Sequence, residues 1–192
     1  MKLKIVSLLL LLVPFILIFS QEKFEKEYRV KSSEVPRKSI ELIKAWNFNK
    51  KIKWYAEESN DGKTFEAKTW YNSHKYSIEF SEKGVLIDVE KRVKFSELSK
   101  AMQQKVKKSL SKKFLKYNIQ KIQIQYSGEE SEIYAKVFRA KKKETTALLN
   151  YELIVKGKKE KKFKVYELLI NKEGEVEKEF SIKSFNSINL EF

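Results

Sequence analysis

The chain has 192 residues, is 42% hydrophobic and 13% aromatic, carries a net charge of +15 and contains no cysteine. Its apolar content excludes a disordered polyelectrolyte, and the missing cysteine excludes disulfides, thiol catalysis and thiolate metal sites. The positive charge is almost all lysine, since Arg29, Arg37, Arg92 and Arg139 are the only arginines. Phosphate readers lean on the bidentate guanidinium, so a solvated lysine surface is expected and nucleic acid is not an expected partner.

The first 20 residues read as a secretory signal. A short basic start ending at Lys4 is followed by an apolar run over 5–19, interrupted by Pro14, and charge resumes after Ser20-Gln21. A run of about 15 residues is short of the roughly 20 that a spanning helix needs. Cleavage after Ser20 is expected, with an uncleaved anchor as the alternative, giving an exported protein, periplasmic or secreted, with no stable membrane span once the signal is removed.

Residues 22–29 read as a charged lead-in. Ser33-Glu34-Val35-Pro36 then starts a helix, because Ser32 or Ser33 can cap it and Pro36 fits a first turn where its missing N–H costs nothing. Ile40, Leu42, Ile43 and Trp46 recur at helical spacing, which predicts a helix over 36–45. From Lys51 the apolar period changes to two. Ile52, Trp54 and Ala56, then Phe65, Ala67 and Thr69, then Tyr76, Ile78 and Phe80 alternate with polar neighbours, and Asn60-Asp61-Gly62, Asn72-Ser73 and Glu82-Lys83-Gly84 supply turns. A last strand follows over 85–93.

The same grammar returns after residue 95. Val30-Lys31 and Ser33-Glu34-Val35 reappear as Val93-Lys94 and Ser96-Glu97-Leu98, and the interval from Gly84 to Phe95 equals that from Gly174 to Phe185. Met102, Val106, Leu110 and Phe114 predict a helix over 100–115; strands are expected over 122–126, 133–139, 147–155, 163–170 and 176–182, with lysine runs at 141–143 and 158–162 as solvated loops. A repeat of this size predicts an α+β protein of two tandem, rigidly abutted modules. Each is a helix packed on an antiparallel four-stranded meander, or a five-stranded one in the second copy. The expected division is 1–20 signal, 21–95 first module and 96–192 second module, with an insertion near 141–161.

Residues Tyr76-Ser77-Ile78-Glu79-Phe80-Ser81-Glu82-Lys83-Gly84-Val85-Leu86-Ile87-Asp88-Val89-Glu90, preceded by Ser33-Glu34-Val35-Pro36 and a helix, resemble the PepSY-like, β-lactamase-inhibitor-like (BLIP-like) proteins of bacterial envelopes. The resemblance covers most of the chain after residue 20 and is stronger in the first unit, since Glu177-Lys178-Glu179 replaces the Asp88-Val89-Glu90 element in the second. It implies a helix-plus-sheet module, often in tandem, exported, that binds or inhibits proteins such as peptidases.

No catalytic constellation competes with this reading. His74 is the only histidine, beside Ser73 in a hairpin turn, and no Gly-x-Ser-x-Gly elbow exists to partner it. Asp88 and Glu90 share one strand face, with Lys91 and Lys94 near them, and read as solvated charge rather than a cation or acid/base site. Asn60-Asp61-Gly62 lacks the other ligands of a calcium loop. The chain is therefore expected not to be an enzyme and to hold no cofactor or metal. Strand parity turns Tyr55, Trp70, Lys53, Lys68, Glu57, Glu66 and Glu79 away from the helix, and two large aromatics among charges on a sheet face are what an interface presents. Tyr134, Phe138 and Tyr166 extend that surface if the sheets lie side by side. The expected function is an exported, non-catalytic protein-binding module, an inhibitor of a peptidase or hydrolase in the terms of the resemblance. The partner is an envelope or secreted protein; the alternative is a lysine-rich binder of acidic envelope surfaces or polyanions.

Overall fold

Two helices begin on matching punctuation. In the computed structural model, which describes residues 21–23, 25–138 and 146–182, 3₁₀ turns at Ser32–Glu34 and Phe95–Glu97 are closed by the same reciprocal bond. Glu34 Oε2 accepts from the Lys31 N–H at 2.8 Å and Glu97 Oε2 from the Lys94 N–H at 2.6 Å. Helix α1 (Arg37–Trp46) then buries Ser39, Ile43 and Trp46 on one stripe and ends at Asn47, whose φ of 52° is the left-handed cap. Helix α2 (Lys100–Lys113) buries Met102, Val106 and Leu110 and starts at Ser99, whose hydroxyl accepts from the Met102 N–H at 3.1 Å. The expected signal segment, residues 1–20, and the lysine run 141–143 lie outside the described residues.

The strands are β1 (Gln21–Lys23), β2 (Glu25–Val30), β3 (Lys53–Ser59), β4 (Gly62–Tyr71), β5 (His74–Ser81), β6 (Leu86–Arg92), β7 (Lys116–Ser127), β8 (Leu148–Lys158), β9 (Phe163–Asn171) and β10 (Val176–Ile182). A third helix, α3 (Glu130–Val137), lies between β7 and β8. Strands β2 to β10 form one antiparallel sheet, and β1 pairs parallel with β10.

This overturns the expectation of two modules, each with its own sheet. The join is the β6–β7 ladder, from Asp88↔Ser127 to Arg92↔Gln123. Closing the first unit at β6 would leave a row of unpaired backbone groups, and β7 satisfies them. Strand β7 is accordingly twelve residues long, well beyond the expected 122–126, and pairs with β8 from Lys116↔Lys158 to Ser127↔Leu148. Residues 25–29, within the stretch 22–29 expected as a charged lead-in, belong to β2 because it pairs with β3 from Glu25↔Ser59 to Val30↔Trp54. The segment expected as a strand over 133–139 is helical through Val137 instead. Its apolar residues Ile133, Tyr134, Val137 and Phe138 follow a helical spacing, and Glu130 and Glu132 favour the positive end of the helix dipole.

All three helices cover the same face of the sheet. Under α1 and α3 lie Trp54, Phe65, Ile78, Phe80 and Val89, against Ile43, Trp46 and Ile133. Under α2 lie Ile122, Leu153, Val155, Leu168 and Ile170. Each such side chain, once buried, contributes about 1.5–3 kcal/mol. Gly84 (φ 78°) and Gly174 (φ 88°) bring hairpin turns onto the helices, where an added Cβ would come within 2.8 Å of Pro36 Cβ and 2.6 Å of Lys105 Cβ respectively.

The strand order returns on itself. Strands β1 and β2 stand at its two ends, yet one residue separates them in sequence, so Lys23 and Glu25 lie within about 7 Å. The stretch from residue 21 to 30 thus pairs first with β10 and then with β3. In a flat sheet β2 and β7 would stand more than about 20 Å apart at ~4.8 Å per strand, but Glu27 of β2 and Lys121 of β7 line one cavity. The sheet is rolled into a ring, with the helices outside and its other face turned inward.

Candidate binding cleft

The inward face is built from the alternate residues that the core does not use. Along β4, β5 and β6 the register sets Glu66 opposite Glu79 and Glu79 opposite Asp88, three carboxylates in one row across three adjacent strands. Like charges directly opposite one another destabilise a sheet. The next row holds Lys68, Ser77 and Glu90.

Two lysines offset part of this charge. Lys68, 6% exposed, places its Nζ 2.8 Å from Glu27 Oε1 and 2.9 Å from Glu66 Oε2, with the Tyr55 ring centroid 4.8 Å away. Burial works against its charge, but Glu66 and Glu27 raise its pKa and hold it as the ammonium. Lys121 stands 3.2 Å from Glu152 and is likewise held charged, against burial, by Glu152 and Glu90. Glu27 is still lifted above the ordinary carboxylate range, by burial first and by Glu66 second.

The β6 end of the carboxylate row is poorer in partners. Gln125 Nε2 donates to Asp88 Oδ2 at 2.7 Å and Gln123 Nε2 donates to Glu90 Oε2, but Asp88 Oδ1 is buried with no hydrogen-bond partner. Asp88 is 4% exposed. Burial pushes its pKa well above the usual value, and Glu79 and Glu152 push it further; for Glu90 burial leads, followed by Glu152 and Asp88. The two residues expected as solvated charge are therefore shielded, because the ring closes over the face on which they stand.

The cleft has a volume of about 160 Å³ and is lined by seven glutamates against Lys68, Lys75, Lys121 and Arg92. At the ~10–15 Å³ that a water needs, it has room for about ten waters or the end of one long side chain. In a chain of +15 this interior is a net acidic spot. No group of three or more His, Asp or Glu among the described residues converges as metal ligands would.

Five of the residues expected at an interface share this face. Lys68 and Glu66 form the ion cluster inside it, Tyr55 covers Lys68, Lys53 is exposed, and Trp70, 47% exposed, stacks under the Lys75 Nζ at 5.2 Å. Lys75 in turn lines the cleft. The other three do not extend the surface: they lie on the helix-covered side. Tyr134 and Phe138 pack on Trp46 with centroids at 5.6 and 5.1 Å, and Tyr166, 5% exposed, packs on Phe114 at 5.0 Å. His74 joins turn to turn, with Nε2 2.8 Å from Glu97 Oε1 and Nδ1 2.9 Å from the Asn72 carbonyl. Glu27, Lys121, Gln123, Gln125 and Glu152 escaped sequence reasoning. Their signal was the alternation of Gln123 and Gln125 with Ile122 and Ile124, which marks a polar face without saying that it is enclosed.

No family model and no curated protein matches the chain. Among solved structures, a DUF2874 family protein from Bacteroides ovatus superposes with a TM-score of 0.54 at 11% identity, over 81% of this chain and 96% of that one. A BLIP-like protein from Bacteroides fragilis superposes at 0.51 and 12% identity, over 79% of this chain and 89% of that one. The fold is BLIP-like. Identity this low carries the fold alone, and the PepSY half of the resemblance finds no support in these comparisons. Within this BLIP-like fold, the carboxylate row from Glu66 to Asp88 stands on the face that the helices leave uncovered.

Proposed function

We propose that this BLIP-like chain is a non-catalytic protein-binding module whose cleft receives a positively charged side chain of its partner. The observation that carries the reading is the cleft's seven glutamates against four basic side chains, with Glu66 and Glu79 directly opposite each other in its wall. Like charges directly opposite one another destabilise a sheet, and an arriving guanidinium or ammonium supplies donors and opposite charge together. A single metal ion fits less well, since the carboxylates are spread along a row and do not converge. The likeness to a BLIP-like structure supports a protein as the partner. The apolar segment before Gln21 supports an exported setting, and with it an envelope or secreted partner whose blocking would be inhibition.

Selection of displayed peptides on the immobilised protein tests this. Peptides enriched in arginine or lysine, whose binding weakens when Glu79→Gln and Glu66→Gln are combined, are the expected result. Peptides with no basic bias, or equal binding to the double variant, would remove the cleft as the binding site.

A further inference from the structure

The molecule also carries a strongly basic end, remote in character from the acidic cleft. Residues 112–116, where α2 runs into β7, and residues 156–164, where β8 turns into β9, hold nine lysines and one glutamate, a net +8 of the chain's +15. The two stretches are neighbours in the sheet. Lys116 pairs with Lys158 and Lys158 with Phe163, and the Leu115 N–H donates to the Lys158 carbonyl at 2.8 Å. Among the described residues one further carboxylate, Glu179, ion-pairs at this end, and it is already engaged by Lys113 and Lys159.

Two large apolar side chains stand out of this lysine field. Leu115 is 72% exposed and Phe163 is 49% exposed, and their backbones flank Lys158 on either side. Lys156 Nζ lies 5.8 Å from the Phe163 ring centroid. A lone exposed leucine needs no explanation, but an aliphatic and an aromatic side chain, both exposed at backbone positions that neighbour Lys158 within the most basic part of the surface, do.

We propose that this end of the sheet docks on a bilayer rich in anionic lipid, with the lysines on the headgroups and Leu115 and Phe163 entering the interface. A lipid surface takes both chemistries at once, because lysines near it gain electrostatic energy while apolar side chains leave water below the headgroups. A polyanion such as nucleic acid or a sulfated glycan would use the charge and leave Leu115 unexplained. The patch also has no arginine, the residue that reads phosphate bidentately.

Flotation of the chain from Gln21 onward, which holds every described element of the fold, with vesicles of phosphatidylcholine alone or mixed with phosphatidylglycerol tests the proposal. Binding to the anionic vesicles that weakens as salt rises is expected. Lys161→Gln with Lys162→Gln should lower affinity roughly 30-fold, at about a kilocalorie per lysine and a tenfold change for each 1.4. Leu115→Ser with Phe163→Ser should lower affinity as well while leaving the salt dependence intact, and Phe163→Trp should add an emission that moves to the blue on anionic vesicles. Because Leu115 and Phe163 are exposed, these variants keep the core. Equal binding to both vesicles would overturn the proposal. So would anionic binding that ignores Leu115 and Phe163 and is displaced equally well by heparin or DNA, which would mark a plain polyanion site. Neither result depends on the acidic cleft.

Discussion

The Phe114 ring lies against the bare backbone of Gly157, where an added Cβ would meet Phe114 Cδ1 at 2.5 Å. Phe114 closes α2 and is 4% exposed, so the missing side chain at 157 is what lets the helix end seat on β8. Gly157→Ala is expected to cost about 1–3 kcal/mol through overpacking. The cost should shrink in a Phe114→Leu background, a coupling that urea denaturation of the four proteins in a cycle would measure. Additive effects would mean that ring and glycine do not constrain each other.

Stability should fall as pH rises through the window above the usual carboxylate range. Asp88 and Glu90 have folded pKa values raised by burial; the folded state therefore holds protons that the unfolded chain has released, and each increment of pH in that window favours unfolding. The groups facing them are Glu66 and Lys68 from β4, Glu79 from β5, Lys121 from β7 and Glu152 from β8. Asp88→Asn and Glu90→Gln keep an acceptor for Gln125 and Gln123. Each should raise the melting temperature by a few degrees at pH 8, at roughly 2–4 °C per kcal/mol for a chain of this size, and change little at pH 4. A parallel shift at both pH values would show that ionisation is not the cause.

Removal of Lys68 should be far costlier than removal of a surface lysine. Its ammonium serves two carboxylates of which Glu27 is 4% exposed, so Lys68→Ala leaves buried charge uncompensated and should cost about 3–5 kcal/mol. Lys68→Met combined with Glu27→Gln should recover part of that loss by restoring volume and removing one charge. Chemical denaturation midpoints decide the matter; a Lys68→Ala protein as stable as wild type would mean that water enters the cleft freely.

Phe138 is expected to act in folding. Its ring centroid lies 5.1 to 5.6 Å from those of Trp46, Phe48, Tyr71, Tyr76 and Tyr134. Phe138→Ala should therefore cost about 3–5 kcal/mol, readable as a lower melting temperature with loss of near-ultraviolet circular dichroism. Trp70→Ala, at an exposed position, should stay within about 0.5 kcal/mol of wild type.

Local structure was legible in the chain because it is carried by near neighbours. The repeated Lys31 to Glu34 and Lys94 to Glu97 turns, the helix stripes of Ile43 with Trp46 and of Met102 with Val106 and Leu110, and the Gly84 and Gly174 hairpins all follow from spacing and turn chemistry. So does the parity that sets Tyr55, Lys68 and Glu66 on the face away from the helices. The strand expected over 133–139 was a misreading because Ile133, Ala135 and Val137 at alternate positions satisfy a strand pattern nearly as well as Ile133, Tyr134, Val137 and Phe138 satisfy a helical one, and it is the buried seat for Ile133 that favours the helix.

What the sequence determined by itself was the places of α1, α2 and most strands, a polar sheet face and a lysine-dominated surface, all consequences of period and composition. Only the tertiary structure decided that all the strands join one sheet in place of two modules, that the sheet returns on itself through β1 and β2, and that the polar face is enclosed. The physical reason is that strand pairing joins residues far apart in sequence. Asp88 and Glu90 look like solvated charge along the strand, and become buried acids only when β4, β7 and β8 bring Glu66, Gln125 and Glu152 around them.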